Sequence, residues 1–369
     1  MSDILTPEQR AIILLSRLTF SENNETDLKS LLNKPIDWYE ILRISINNKV
    51  LPLIWYNLQK RNNEGNIPSN IEKIMYFYYL GTRERNNILL KELDTIIQYM
   101  NSKNIPCIPL KGAYLIPNIY RDFGIRTMND IDFMINHSNV SIVRAAMNEL
   151  GYIEGEYEKD SNKIIAIKRE KKIFWNMKMN NLFPFKKISD SDYVKISEFD
   201  FCFSLDFDLN YEIVDNMISR VKPQRANSSK YLCDSDFFIH LCCHLYKEAT
   251  NAMWVMIEKD LNLIKFCDIR EFVLHNMNSE SIDEAIEIAK KYRLEKAVYY
   301  TLFYLNQIYS DGYELEAMKN LNISDDSFIY TYGAKDFGEN VTWKKSFWQR
   351  IFSNNNRDEL TDKPKYLGI

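Results

Sequence analysis

The chain has 369 residues, of which 46% are apolar and 27% charged, with a formal net charge of -4. A length of this order suits two or three domains of roughly 100–200 residues, and the apolar content is that of a globular protein with a real core. The slight acidity argues against a broad, sequence-independent grip on nucleic-acid backbone, and no apolar run approaches the ~20 residues that span a bilayer.

Residues 1–100 read as helices. Thr6-Pro7-Glu8-Gln9 is a start signal, with Thr6 as N-cap, Pro7 in the first helical position and Gln9 closing a capping box. The apolar run Ala11 to Leu15 follows, and Trp38 to Leu58 holds a helical pair interrupted near Pro52. From Arg83 to Met100 apolar residues recur at helical spacing: Leu89, Leu93, Ile96, Ile97 and Met100. The period then changes. Ile105 to Leu110 is a short extended run and Asp130 to Ile135 a second strand, while Val140 to Leu150 reads as a helix stopped by Gly151.

Tyr152 to Tyr157, Lys163 to Lys168 and Lys172 to Met179 read as further strands. Phe199 to Ile213 alternates apolar and polar residues with a strict period of two, which predicts one long strand with a bend or bulge. After about Lys222 the helical period returns, in Asp234 to Glu248, Trp254 to Val273 and Ile282 to Ile308. Trp343, Phe347, Trp348 and Ile351 share helix-like spacing in the tail. The layout predicts a helical region over 1–100, an α/β core over 101–224 and a helical domain over 225–369 that closes over the site.

The six cysteines contain no CxxC pair, and the opening MSDILTPEQR has no apolar signal region. Both suit a reduced, cytoplasmic, soluble protein.

The chemistry concentrates in Pro109 to Ile135. Leu110-Lys111-Gly112 ends an apolar strand, and Arg126 and Asn129 precede Asp130-Ile131-Asp132-Phe133. Side chains two apart on a strand share a face. Asp130 and Asp132 are therefore expected side by side, with Ile131 and Phe133 turned into a core. Paired carboxylates on a rigid strand suit Mg²⁺, which favours carboxylate and phosphate oxygens.

Asp-x-Asp alone is weak, since the chain has four such pairs: Asp130/Asp132, Asp190/Asp192, Asp206/Asp208 and Asp234/Asp236. The second lies in a polar loop and the fourth precedes a helix as an N-cap cluster. The first and third lie in apolar-backed runs. Three carboxylates holding two metal ions would stabilise the attacking and leaving oxygens of an in-line phosphoryl displacement. Gly112 would let backbone N–H groups approach a phosphate, and Lys111 and Arg126 would neutralise its oxygens. P-loop, dinucleotide-fold and kinase signatures are missing from the sequence.

Other residues have plainer readings. His240 and His244, four apart in His-Leu-Cys-Cys-His, lack the further clustered ligands of a zinc site, so packing or a pocket wall is preferred. Trp175 and Tyr211 are the best candidates for stacking on a base. Lys163 to Lys178 reads as a solvated basic face with some capacity for an anionic acceptor.

On Leu110-Lys111-Gly112, Tyr120, Arg126 and Asp130-Ile131-Asp132, the chain resembles an uncharacterised bacterial nucleotidyltransferase family of the polymerase-beta-like superfamily. Members of that family often sit in peptide and natural-product biosynthetic clusters. The likeness covers roughly residues 30 to 310. It implies an α+β fold, with a polymerase-beta-like mixed sheet and flanking helices between N- and C-terminal helical regions. It also implies transfer of a nucleoside monophosphate from an NTP (ATP the leading choice) to an acceptor, with release of pyrophosphate and two Mg²⁺ ions. The implied catalytic and metal-binding residues are Asp130, Asp132 and Asp208. Lys111, Gly112, Arg126 and Asn129 are the nucleotide contacts.

Asp208 is assigned because Asp208-Leu209-Asn210-Tyr211 matches an acid-Leu-His-Trp family strand, with Asn-Tyr here in place of His-Trp and Asp206 as the fallback. Where the superfamily turn carries Gly-Ser or Gly-Gly, Lys111-Gly112-Ala113 stands here, which gives Lys111 the phosphate. A small molecule or peptide is the favoured acceptor, and neither a membrane nor a large nucleic acid is expected as partner. The rival readings are a non-catalytic nucleotide- or peptide-binding protein, phosphoryl transfer, and an RNA or protein acceptor.

Overall fold

The structure is a computed structural model that describes residues 5–61, 66–223, 230–334, 338–353 and 356–360. Along the chain run α1 (Pro7–Leu15), α2 (Glu22–Leu32), α3 (Trp38–Asn47), α4 (Leu51–Lys60) and the long α5 (Ser69–Ser102). Then come β1 (Ile108–Pro109), α6 (Lys111–Leu115), β2 (Ile131–Met134), α7 (Val140–Glu149), β3 (Ile153–Glu158) and β4 (Lys163–Ala166). These are followed by α8 (Arg169–Lys178), β5 (Phe185–Ile188), β6 (Ile196–Cys202), α9 (Tyr211–Ser219), β7 (Lys222–Pro223) and β8 (Lys230–Tyr231). Helices α10 (Asp234–Thr250), α11 (Ala252–Met256), α12 (Leu263–Asn276), α13 (Ser279–Tyr292), α14 (Glu295–Ile308) and α15 (Tyr313–Asn320) complete the main elements. No helix among the described residues is long and apolar enough to cross a membrane.

The chain divides into two compact units, Met1–Leu80 with Leu241–Ile369, and Gly81–His240. Residue 100 lies inside α5 rather than at an element boundary. The first unit is helical. Helix α1 starts as its sequence dictates: Thr6 Oγ1 accepts from Gln9 N (3.2 Å) and Gln9 Oε1 accepts from Thr6 N (3.0 Å). Pro52 opens α4 rather than breaking it, since its missing N–H is an orphan in a first turn. Within this unit Arg270, 2% exposed, bonds both oxygens of Asp311 (2.5 and 2.8 Å), the Thr19 carbonyl (3.2 Å) and Glu271. Glu271 also accepts from Leu18 N at 2.9 Å.

The second unit is built on a six-stranded mixed sheet, in the order β1-β2-β6-β5-β3-β4. Strands β2 and β6 are parallel, with Ile131 opposite Phe199, Asp132 opposite Asp200 and Phe133 opposite Phe201. The other pairings in this sheet are antiparallel. Ile131, Phe133, Phe199 and Phe201 all point into one core, where the apolar stripe of α5 joins them. Phe133 stacks against Phe201 and Phe199 with ring centroids 5.2 and 6.3 Å apart. The alternation of side chains along a strand then leaves Asp132 and Asp200 together on the opposite face.

Three sequence readings need correction. The strand expected from Phe199 to Ile213 ends at Cys202. Beyond it the Asp206 carboxylate accepts from Asp208 N (3.0 Å), Leu209 adopts φ 56°, and Asn210 caps α9 through Glu212 N (3.2 Å). These short polar side chains bind their own backbone and so compete with the ladder, although the hydrophobic alternation runs on. The segment Lys172 to Met179, read as a strand, lies in and just past α8. There Glu170 in the first turn and Lys178 in the last complement the helix dipole, and Lys171 and Trp175, four apart, face the sheet. The helix read over Trp254 to Val273 is two, α11 and α12, separated by a turn in which Glu258 takes φ 56°.

Candidate functional site

The site grows from the β1–α6 turn, the start of β2 and the later part of β6, where Asp200 is the third residue from the end. Leu110 N donates to Asp132 O at 2.9 Å, which pins the turn to β2. Lys111 follows in the left-handed region (φ 43°), a conformation rare and costly for a non-glycine residue. Its ammonium lies 2.7 Å from Asp132 Oδ1, and both side chains are largely shielded.

Gly112 permits a close approach. A Cβ there would lie 2.4 Å from Arg126 Nη1 and 3.0 Å from Met128 Sδ. The absent side chain makes room for the buried Arg126 guanidinium, which donates to the Thr127 carbonyl at 3.0 Å.

The loop that delivers the acidic strand is held from α5. Arg85 donates to the carbonyls of Met128 (2.9 Å) and Asn129 (3.1 Å), and Asn86 Nδ2 to those of Phe123 (2.6 Å) and Arg126 (2.7 Å). Burial lowers the Arg85 pKa, and the nearby Asp130 carboxylate opposes that shift. Neither residue was signalled by the apolar periodicity of α5, because both side chains are polar, although Asn86 lies on the buried stripe with Leu89 and Leu93.

Asp132 is 8% exposed, whereas Asp130 precedes β2 and is solvent-exposed. The two carboxylates expected as a strand pair therefore have different surroundings. The acidic group in register with Asp132 is Asp200. Burial, and then the Asp132 carboxylate beside it, push the Asp200 carboxyl up to about 7; Lys111 and the Asn181 hydrogen bonds oppose them. Asn181 Nδ2 donates to both Asp200 oxygens, at 2.7 and 2.9 Å. The main chain of Asn181 bridges to Cys202, and its carbonyl accepts from Trp175 Nε1 at 3.1 Å. The Asn181 Oδ1 atom is buried without a hydrogen-bond partner.

Asp206 and Asp208 lie in the turn between β6 and α9, and Asp208 is exposed. The sequence did carry a signal for Asp200: Ile131-Asp132-Phe133 and Phe199-Asp200-Phe201 are the same apolar–Asp–Phe triplet. It was submerged in the longer alternation.

The other candidates have partners. The Trp175 ring meets Phe183 edge-on at 4.8 Å, and Tyr211 stacks on His137 at 4.0 Å. Asn129 is exposed, with its carbonyl taken by Arg85. On α10, His244 Nε2 lies 3.5 Å from Glu248, which also pairs with Lys265 at 2.5 Å. Among the described residues, no group of three or more His, Cys, Asp or Glu side chains is placed to hold a metal ion by itself. Mg²⁺ does not need such a cage, since it is commonly held by one or two carboxylates together with substrate phosphates. The donors here fit that mode: hard oxygens from Asp132 and Asp200, in register on adjacent strands, with the Lys111 ammonium against Asp132.

No curated protein and no solved structure matches the chain. A family model described as uncharacterised nucleotidyltransferase matches residues 34–310, well over half of the chain and including the whole six-stranded sheet. The chain belongs to this nucleotidyltransferase family and is an enzyme of that class.

Proposed function

We propose that this enzyme moves a nucleoside monophosphate from an NTP to an acceptor with release of pyrophosphate, on a polymerase-beta-like core and with Mg²⁺. The observation that carries the reading is the pairing of Asp132 with Asp200 across two parallel strands, backed by a phenylalanine core.

Asp130, Asp132 and Asp200 are the residues that would hold the ions. Bound there, Mg²⁺ would supply charge stabilisation to the attacking and leaving oxygens of the displacement. The chain's own contributions follow from the geometry. The β2–β6 ladder fixes Asp132 and Asp200 on one face. Asn181 orients the Asp200 carboxylate through both oxygens, which limits its rotation. Lys111 and Arg126 place positive charge at the turn, where phosphate oxygens are to be neutralised. Arg85 and Asn86 hold the loop bearing Asn129 and Asp130, so the acidic strand meets the nucleotide in a fixed register.

In this reading the third carboxylate is Asp200. Asp208 lies beyond the strand end and is not assigned a role. The acceptor is a small molecule or a peptide, and ATP is the first nucleotide to test. Incubation with α- and γ-labelled NTPs and candidate acceptors separates the alternatives. Label from the α-position on the product supports nucleotidyl transfer, and label from the γ-position means phosphoryl transfer. Nucleotide binding with neither product, across all four NTPs and a broad acceptor panel, would favour a binding protein on the same fold.

A further inference from the structure

We infer that Lys111 is a resident counter-ion. It holds the Asp132 carboxylate through an ion pair and gives it up to an incoming metal–polyphosphate, taking a phosphate oxygen instead. This rests on the nucleotidyl-transfer reading above and adds a second, sequential partner for one residue.

The two cations at the β1–α6 turn, Arg126 and Lys111, are held in contrasting ways. The Arg126 guanidinium is buried under Gly112, and a Cβ there would overlap it. It also bonds the Thr127 carbonyl, so it is fixed in place. Lys111 carries its charge on a four-carbon stem that can swing without backbone movement. Its side chain is 20% exposed and its ammonium touches Asp132 Oδ1 at 2.7 Å, in the place a metal ligand must offer to a cation. The backbone is held at φ 43° between two pinned neighbours: Leu110 N bonds Asp132 O (2.9 Å), and Ala113 N bonds Leu110 O (3.0 Å). The strain is therefore kept by the turn, and the lysine root stays beside β2 whichever anion its tip engages.

The charge count points the same way. Asp130, Asp132 and Asp200 act on one another, and Lys111 is the ammonium opposing them. The Lys111 ammonium offsets part of the cost of shielding the Asp132 charge. With a divalent cation in place, the ammonium at Asp132 becomes repulsive, while the added phosphates present new negative oxygens.

Two titrations of the full-length protein test this, with Mn²⁺ alone and with Mn²⁺–ATP, followed by electron paramagnetic resonance of free Mn²⁺. Lys111→Met is expected to bind Mn²⁺ alone about tenfold more tightly than the wild type, because a competing charge is gone. It is expected to bind Mn²⁺–ATP about tenfold more weakly, because a phosphate contact is lost. Lys111→Arg, which keeps the charge, should leave the affinity for Mn²⁺ alone near wild type. Lys111→Gln serves in place of Lys111→Met should the latter melt below the assay temperature.

Unchanged or weaker binding of Mn²⁺ alone by the neutral variants overturns the inference. So does tighter binding of both Mn²⁺ and Mn²⁺–ATP, which would make Lys111 a plain competitor. Should the wild type bind neither, or bind both with no loss in Asp132→Asn, the nucleotidyl-transfer site itself is wrong. That result is distinct from failure of the exchange alone.

Discussion

Two clusters of buried charge in this protein are built to opposite rules. In the helical unit, Arg270 is enclosed by Glu271, both oxygens of Asp311 and the Thr19 carbonyl, while Glu271 also takes Leu18 N. There Arg270 meets two carboxylates and a backbone carbonyl, and Glu271 meets Arg270 and a backbone N–H, the compensation that a buried charge requires. In the sheet unit, the aspartates at 130, 132 and 200 act on one another with Lys111 as the opposing ammonium, and Asp200 is pushed up to about 7. The first cluster spends its charge on holding the segment after α1, α12 and the segment after α14 together. The second presses carboxylates against one another, so that Asp200 holds its proton more tightly than an ordinary aspartate, a strain that a bound cation would relieve.

The largest expected effect separates the two clusters by function. Asp132→Asn should reduce nucleotidyl transfer by at least about 10³-fold, since charge stabilisation at the reacting oxygens is lost. Its thermal midpoint should stay within a few degrees of wild type. A variant that loses activity only in proportion to its unfolded fraction would put Asp132 in the structural class.

The converse is Glu271→Ala. Removing one partner of a buried cluster costs about 3–5 kcal/mol. Denaturant or thermal melts should show that loss, and the fraction that remains folded should bind Mn²⁺–ATP normally. Weakened nucleotide binding by that folded fraction would break the comparison.

A pH test sharpens it. The folded-state pKa of Asp200 is raised to about 7, above the ordinary aspartate value of 3.8. For an acid so raised, the folded form holds its proton more tightly than the unfolded form. Stability is therefore greatest below the ordinary value and falls as pH climbs from about 4 through 7. In EDTA, Asp200→Asn should melt several degrees above wild type at pH 8, and this advantage should vanish by pH 4. An equal difference at both pH values would mean that Asp200 titrates normally.

The smallest effect concerns the glycine. Gly112→Ala must displace the Arg126 guanidinium or the Met128 thioether, and such overpacking costs about 1–3 kcal/mol. A calorimetric midpoint lowered by a few degrees, with weaker Mn²⁺–ATP binding, is expected. An unchanged affinity would remove Arg126 from the nucleotide site.

Much of this was readable before the coordinates. The Thr6 capping box, the apolar stripe of α5, the β2 strand and the Gly151 stop (φ 82°) all rest on local rules, and all are present. Lys111, Gly112 and Arg126, which the sequence singles out, do lie together, with the Arg126 guanidinium where a Cβ on Gly112 would be. What escaped was pairing at long range. Asp200 acquires its meaning from its register with Asp132, 68 residues earlier (200 − 132). The period-two pattern that should have marked its strand also ran through residues 203–213, where Asp206 and Asn210 turn the backbone. Asn181, Arg85 and Asn86 were invisible for the same reason: each acts on a segment remote in sequence or on backbone carbonyls, which leave no trace in side-chain periodicity.

The central claim is that the acidic centre is completed by position 200, on the strand beside Asp132. Titration of Mn²⁺–ATP into Asp200→Asn and Asp208→Asn, side by side with wild type, tests it without any knowledge of the acceptor. The account predicts that Asp200→Asn binds at least about tenfold more weakly, the loss of one ligating charge, and that Asp208→Asn matches wild type. Full binding by Asp200→Asn together with loss in Asp208→Asn would contradict it.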